Sequence, residues 1–473
     1  MNQVQISPLD PRRMREALSE DQAAELDRTI EHGQRTLEGR VVWNVNSTAY
    51  GGGVAEMLHS LIAYARGGGV DARWVVIEGN PDFFAVTKRI HNLLHGSPGD
   101  GGPLGDAERA VYEGVAEANA RDLAELVCDG DIVLLHDPQT AGLAQPLLDM
   151  GAHVVWRCHV GLDVPNELAR SAWRFLLPYV APAESYVFSR HAFAWEDLDS
   201  DRLVIIPPSI DAFSPKNQDI GPAEVEAILH AAGLEENGAT GHPVFTHHDG
   251  SPGRVDRDAR VVRSAPLRAG VPLVVQVSRW DRLKDPLGVI EGFADRVAPH
   301  SDAHLMLAGP DVLAVTDDPE GGQVFQECSD RWEELAPEVQ ERVHLALLPM
   351  DDAEENAATV NALQRRADVI VQKSIAEGFG LTVSEAMWKG RPVVASRVGG
   401  IQDQIVDGVS GMLVDPLDLN AYGDAVAQLV RDPEAAARIG RDAMERVREQ
   451  FLGARHLMQY VVLFESLIGA RAR

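Results

Sequence analysis

Short apolar runs bounded by glycine, proline or acidic residues recur along this chain, separated by stretches whose apolar positions return every three to four residues. The first pattern predicts buried strands and the second predicts helices packed against them. In the first half, strands are expected over 41–45, 71–78, 131–135, 154–158 and 204–206. Helices are expected over 10–18, 21–36, 54–66 and 107–126, with another running from the 79–84 turn through His91. The 54–66 stretch places Val54, Leu58, Leu61, Ile62 and Ala65 on one face. In the second half, strands near 273–277, 304–308, 343–347, 368–371, 392–395 and 412–414 alternate with helices, and helices over 419–429, 433–451 and 454–467 follow. Such alternation predicts parallel βαβ units, so the fold class is α/β and doubly wound, twice over.

Pro207-Pro208-Ser209-Ile210-Asp211 marks the exit from the first domain, where two prolines stiffen the crossing. The expected organisation is a first domain over 1–211, a linker and irregular insertion over 212–270, and a second domain over 271–453. Residues 1–37 are a polar cover on the first domain. Within the insertion a helix is expected over 223–232, and the Gly/Pro/Arg/Asp-rich run 236–264 reads as a disordered or hairpin segment. Asp317-Asp318 and Asp351-Asp352 read as polar turns.

The chemistry centres on Glu377-Gly378-Phe379-Gly380-Leu381-Thr382-Val383-Ser384-Glu385. Loop glycines let backbone approach a ligand that a Cβ would push away. The helix that follows presents free N–H groups and a positive dipole end, which suits a phosphate. Glu377 precedes the loop and Glu385 sits about two turns into the helix. Two acids flanking an anion cradle suit hydroxyl groups on either side of a diphosphate, the layout of a nucleotide-sugar. Arg279 and Lys284 follow the apolar run 273–277, where cations can neutralise that diphosphate. Lysine occurs only at 88, 216, 284, 373 and 389, which makes each one a hint.

His136, Asp137 and His159 fall at carboxyl ends of predicted strands, where ligands bind in parallel sheets. The Gly51–Gly53 run is a second candidate cradle, without the lysine ending of a P-loop or the spacing of a dinucleotide fingerprint. Lys88, His91 and Asn92 share two helical turns and could equally be solvated positions. Asp129-Gly130-Asp131 matches a metal-holding DxD pattern but precedes a buried strand, at the opposite sheet edge, and reads as a turn. His247-His248-Asp249 lacks spacing to further ligands, and adjacent strand histidines point to opposite faces. No metal and no cofactor is expected.

Composition narrows the partners. A formal charge of −29 argues against nucleic acid and anionic membranes. Cys128, Cys158 and Cys328 form no CxxC pattern, as in a reducing cytosol. No apolar stretch approaches the ~18 residues of a membrane span, so a cytoplasmic location is expected. A homodimer is left open.

Arg279, Lys284 and the Glu377…Glu385 pair resemble the donor-site signature of retaining GT-B glycosyltransferases of the family-4 type. Val398-Gly399-Gly400-Ile401 and the segment from Asp407 to Val414 continue that pattern. Trp43 to Thr48, Gly51 to Glu56, Gly79 to Lys88, His136-Asp137-Pro138-Gln139 and Trp156-Arg157-Cys158-His159 are similar to the trehalose-forming branch. The likeness spans roughly 38–210 and 270–465.

The resemblance implies two Rossmann-like domains facing across a cleft, the donor held by the second, the acceptor by the first, and a final helix, 454–473, crossing back. It implies small-molecule partners: a sugar and a nucleoside-diphosphate glucose, used as substrate. Arg279, Lys284, Glu377 and His159 would be catalytic. Glu385, Gly378, Phe379, Gly380, Leu381 and Gly53 would hold the donor, and Gly52, Glu56, Lys88, His136 and Asp137 the acceptor. The implied reaction is reversible, metal-independent transfer of glucose to glucose with retention, giving α,α-trehalose. A phosphorylase using inorganic phosphate, or a transferase with another small acceptor, shares these features. A sugar-nucleotide epimerase or a non-catalytic sensor accounts for fewer of them.

Overall fold

The computed structural model describes every residue except 50, 51, 237, 313–318, 472 and 473. Gly51 of the glycine run and the Asp317-Asp318 turn therefore lie outside the described residues. The chain forms two compact units, Met1–Ser209 with Leu452–Arg473, and Ile210–Phe451.

The first unit is built on seven strands: β1 (Asn2–Val4), β2 (Val41–Asn46), β3 (Asp71–Val76), β4 (Ile132–His136), β5 (His153–Cys158), β6 (Ser185–Phe188) and β7 (Leu203–Ile205). Their order is β1-β3-β2-β4-β5-β6-β7, parallel except for β1, which runs antiparallel to β3. The central strands are buried on both faces, which is why they read as unbroken apolar runs. Trp43, Trp74 and Trp156 are fully buried among them. The last helix, Gly453–Arg471, sets Tyr460, Leu463, Phe464 and Leu467 against Val42, Leu134 and Val155 of this sheet. The helix after β2 starts at Gly52, two residues before the expected Val54, and 10–18 winds as a 3₁₀ turn over Pro11–Ala17. Asp131, the second acid of the DxD pattern, spends its carboxylate on Val41 N, Trp43 Nε1 and Cys128 N at 2.9–3.1 Å. That is a turn clasp.

The second unit contains β8 (Val244–Thr246), β9 (Pro252–Arg254), β10 (Arg260–Val262), β11 (Leu273–Val277), β12 (His304–Pro310), β13 (Val343–Leu348), β14 (Val369–Gln372), β15 (Val393–Ser396) and β16 (Met412–Val414). Strands β8 and β9 form a hairpin, and the others order as β10-β13-β12-β11-β14-β15-β16. In that seven-stranded sheet β10 alone, among the described residues, pairs antiparallel, and it comes from the run read as irregular; residues 210–270 are part of this unit. In both sheets the strand order reverses beside the first long strand, between β2 and β4 and between β11 and β14. Those crevices are where doubly wound sheets bind ligands.

Candidate active site

In the second unit, the loops leaving β11 and β14 are tied together. Ile375 N donates to Leu283 O at 2.7 Å and Lys373 N to Gln276 Oε1 at 3.1 Å. Gln276 Nε2 in turn donates to Lys284 O at 3.0 Å. The result places the Lys284 ammonium on the Glu377 carboxylate, which also accepts from Ser374 Oγ at 3.2 Å. Arg279 is 63% exposed and reaches Asp281 at 3.2 Å.

Gly380, at φ 82°, turns the chain into the helix Leu381–Trp388. The loop is pressed against the 398–404 turn. Gly400 N donates to Gly378 O at 3.0 Å, and Gln404 Nε2 to Phe379 O at 2.6 Å. A Cβ on Gly399, itself at φ 48°, would overlap the Glu377 carbonyl oxygen. With the loop carbonyls of Gly378 and Phe379 engaged on that side, the first N–H groups of the helix are the donors a bound anion would meet. Glu385 is 1% exposed, with Lys216 Nζ 3.5 Å from its Oε1.

Lysine scarcity held more information than the motif reading drew from it. Four of the five lysines lie in this unit and each is engaged. Lys284 pairs with Glu377, Lys373 with Asp285, and Lys216 with Glu385. Lys389 donates to Asn217 Oδ1 at 2.9 Å and to Glu385 O at 3.1 Å. Lys284 was read from its position after a strand, whereas Lys373, directly after β14, was not.

In the first unit, the tips of β4 and β5 bring His136, Asp137 and His159 together. His136 Nδ1 lies 3.2 Å from His159 Nε2 with the rings stacked at 5.5 Å, and His136 Nε2 lies 3.1 Å from Asn44 Oδ1 on β2. With the Asn44 oxygen accepting, His136 carries its proton on Nε2, and His159 Nε2–H donates to His136 Nδ1. Burial, and secondarily the Arg157 guanidinium, push His136 down to about 3. The same causes, in that order, hold His159 well below the usual histidine value, with His136 adding to them. Arg157 is fully buried, bonding to Tyr460 Oη at 2.6 Å, Ile206 O at 3.0 Å and His456 at 3.1 Å. Asn44 could have been noticed as a polar residue inside an apolar strand run.

Asp137 has φ 63° and ψ 178°, a region that costs a non-glycine residue about 1–3 kcal/mol. It is held there by Asp137 N to Arg157 O at 2.8 Å, Trp156 Nε1 to Asp137 O at 3.1 Å and His159 N to its Oδ1 at 2.7 Å. Burial raises its carboxyl to about 7, against the opposing pull of the His159 N–H and of Arg157. Its native value thus exceeds the ordinary 3.8, so the folded state keeps a proton that the unfolded chain has released, and stability is lost as pH rises between those values. Asp137→Asn, which keeps an acceptor for His159 N–H, is expected to gain stability over wild type progressively from pH 4 to 7 and to hold that gain above. Melting curves across pH check it, and a flat difference would refute the raised value.

The remaining candidates are placed but not drawn into these clusters. Gly52 and Gly53 open the helix Gly52–Gly67, exposed, and Glu56 is exposed one turn on. Lys88 is exposed on the helix Pro81–Leu94. His247 pairs with Glu354 beside the β8–β9 hairpin.

Residues 44–195 match the family model described as trehalose synthase, N-terminal domain, and residues 260–446 match glycosyl transferases group 1. A trehalose synthase of Pyrococcus horikoshii is 36% identical over 442 residues, covering 93% of each chain. A trehalose phosphorylase of Grifola frondosa is 28% identical over 86% of this chain and 54% of its own. Among solved structures, an α,α-trehalose-phosphate synthase (UDP-forming) from Burkholderia vietnamiensis superposes with TM-score 0.65 at 16% identity, covering 90% of this chain and 98% of that one. Two Rossmann-like parallel sheets, each with its crevice at a strand-order reversal, make this a GT-B glycosyltransferase. Within that class the chain belongs to the trehalose synthase family.

Proposed function

We propose that this enzyme transfers glucose from a nucleoside-diphosphate glucose to glucose, reversibly and with retention, to give α,α-trehalose. The observation that carries the reading is the Lys284–Glu377 pair beside the Gly378–Gly380 loop, at the foot of the helix Leu381–Trp388. An ammonium and a helix start beside one carboxylate match a leaving diphosphate next to a sugar's hydroxyls.

In this reading Lys284 and Arg279 neutralise the departing diphosphate, the N–H groups after Gly380 hold it, and Glu377 orients hydroxyls of the transferred glucose. Glu385 accepts from ribose hydroxyls. His159, kept neutral and held by His136, contributes a hydrogen bond to the sugar, with Asp137 on the acceptor side. As the glycosidic C–O bond to phosphate breaks, an oxocarbenium-like sugar forms. The acceptor hydroxyl attacks the same face, its proton passing to the leaving phosphate oxygen. Catalysis is then leaving-group electrostatics and positioning, for which no divalent ion is needed.

The test mixes purified enzyme, glucose and each of ADP-, UDP- and GDP-glucose, without phosphate and with EDTA, and follows products by proton NMR. An α,α-linked disaccharide with free nucleoside diphosphate is expected. Glucose 1-phosphate released from trehalose and phosphate, with no product from any nucleotide-sugar, would move the assignment to phosphorolysis. Silence in both would remove the inferred acceptor.

A further inference from the structure

Lys216 comes from a stretch that the donor-site motif does not include, yet the fold delivers it to Glu385 with considerable machinery. The 211–219 turn is pinned from several sides. Asn361 Nδ2 donates to Pro215 O at 3.1 Å and to Gln218 O at 2.9 Å, and Arg365 Nη2 donates to Gln218 O at 3.0 Å. Lys389 Nζ holds Asn217 Oδ1 at 2.9 Å, while Asn217 Nδ2 closes the turn on Asp211 O at 3.1 Å. Asn217, Asn361 and Lys389 are all buried. Between Pro215 and Asn217 this scaffold presents the Lys216 side chain, 20% exposed, to a carboxylate that is almost wholly buried.

The separation, 3.5 Å, exceeds the ~2.7–2.9 Å of a tight charge-assisted hydrogen bond. An ammonium has three donors and a carboxylate about four acceptor sites, so forming this pair does not by itself use up either group. A carboxylate accepts from two vicinal hydroxyls, and a neighbouring ammonium donates to a hydroxyl oxygen. We propose that Lys216 is a positioning residue that sets Glu385 for the donor's ribose and makes the site select a 2′,3′-diol. This rests on the donor reading above.

The experiment measures calorimetric affinity of the enzyme for UDP, ADP and GDP and for their 2′-deoxy counterparts. It then repeats the tightest pair with Lys216→Met, Lys216→Arg and Glu385→Gln. Lys216→Met is expected to bind the ribonucleotide about tenfold or more weakly, the scale of a lost hydrogen bond to a charged group. The ribose-to-deoxyribose ratio should collapse towards one in that variant and recover in Lys216→Arg. In turnover, the loss should fall on the donor KM. Unchanged affinity in Lys216→Met, or weakened affinity with an unchanged ratio, overturns the inference while a weakened Glu385→Gln leaves the donor reading standing. Unweakened binding in Glu385→Gln removes the donor reading itself. If Lys216→Met melts well below wild type, Lys216→Gln replaces it and the same ratio decides.

Discussion

Lys284→Ala is expected to lower turnover by about 10²–10³-fold, the usual loss when one preorganised charge-stabilising donor is removed. The ammonium now sits on Glu377, with its own backbone carbonyl fixed by Gln276 Nε2 at 3.0 Å, so it is held in place before any donor arrives. Such placement costs no reorganisation as charge develops on the departing diphosphate. Lys284→Arg, which keeps the charge but alters its shape, should recover part of the loss. The side chain is only partly buried and Ser374 remains on Glu377, so melting should shift little. Steady-state kinetics on the donor found by NMR decide it: turnover within a few-fold of wild type would show that Lys284 does not face the leaving group.

Lys373→Met is expected to destabilise the second unit by about 1–3 kcal/mol, the cost of leaving a part-buried acceptor without its donor. Lys373 is 1% exposed; its ammonium binds the Asp285 carboxylate and donates to Pro416 O at 2.8 Å. Methionine fills the aliphatic path, so the loss reads out the stranded Asp285 charge and not a cavity. Asp285 has φ 47° and caps the helix Pro286–Gly292 by accepting from Gly288 N at 3.1 Å. Asparagine tolerates both roles. Lys373→Met with Asp285→Asn should therefore be less destabilised than Lys373→Met alone. Native-state hydrogen exchange of the β11 and β14 amides measures both. Because Asp285 follows Lys284, turnover should fall with stability in the single variant. Unchanged exchange in Lys373→Met would mean the pair holds nothing.

The strands and helices around both crevices were readable because their signals are local. Apolar runs such as 273–277 and 132–135 pack on two faces wherever they lie, and a Gly-rich turn into a helix cradles anions whatever surrounds it. The pairing of Lys284 with Glu377 was not read from the sequence, because the motif assigned the two residues to different parts of the donor.

Other features were decided by partners distant in sequence. Strands β1 and β10 are three residues long, too short for any periodicity; the edges of β3 and β13 make them strands. Asn44 meets His136 from 92 residues away, and Lys389 meets Asn217 from 172. The strained φ of Asp137 is stable only because Trp156, Arg157 and His159 converge on it. The sequence by itself determined two doubly wound α/β units and the residue types at their strand tips, since burial and helix-start electrostatics depend on near neighbours. Only the tertiary structure decided which buried lysine answers which carboxylate, because a charge taken out of water is stable only beside a partner the fold brings to it.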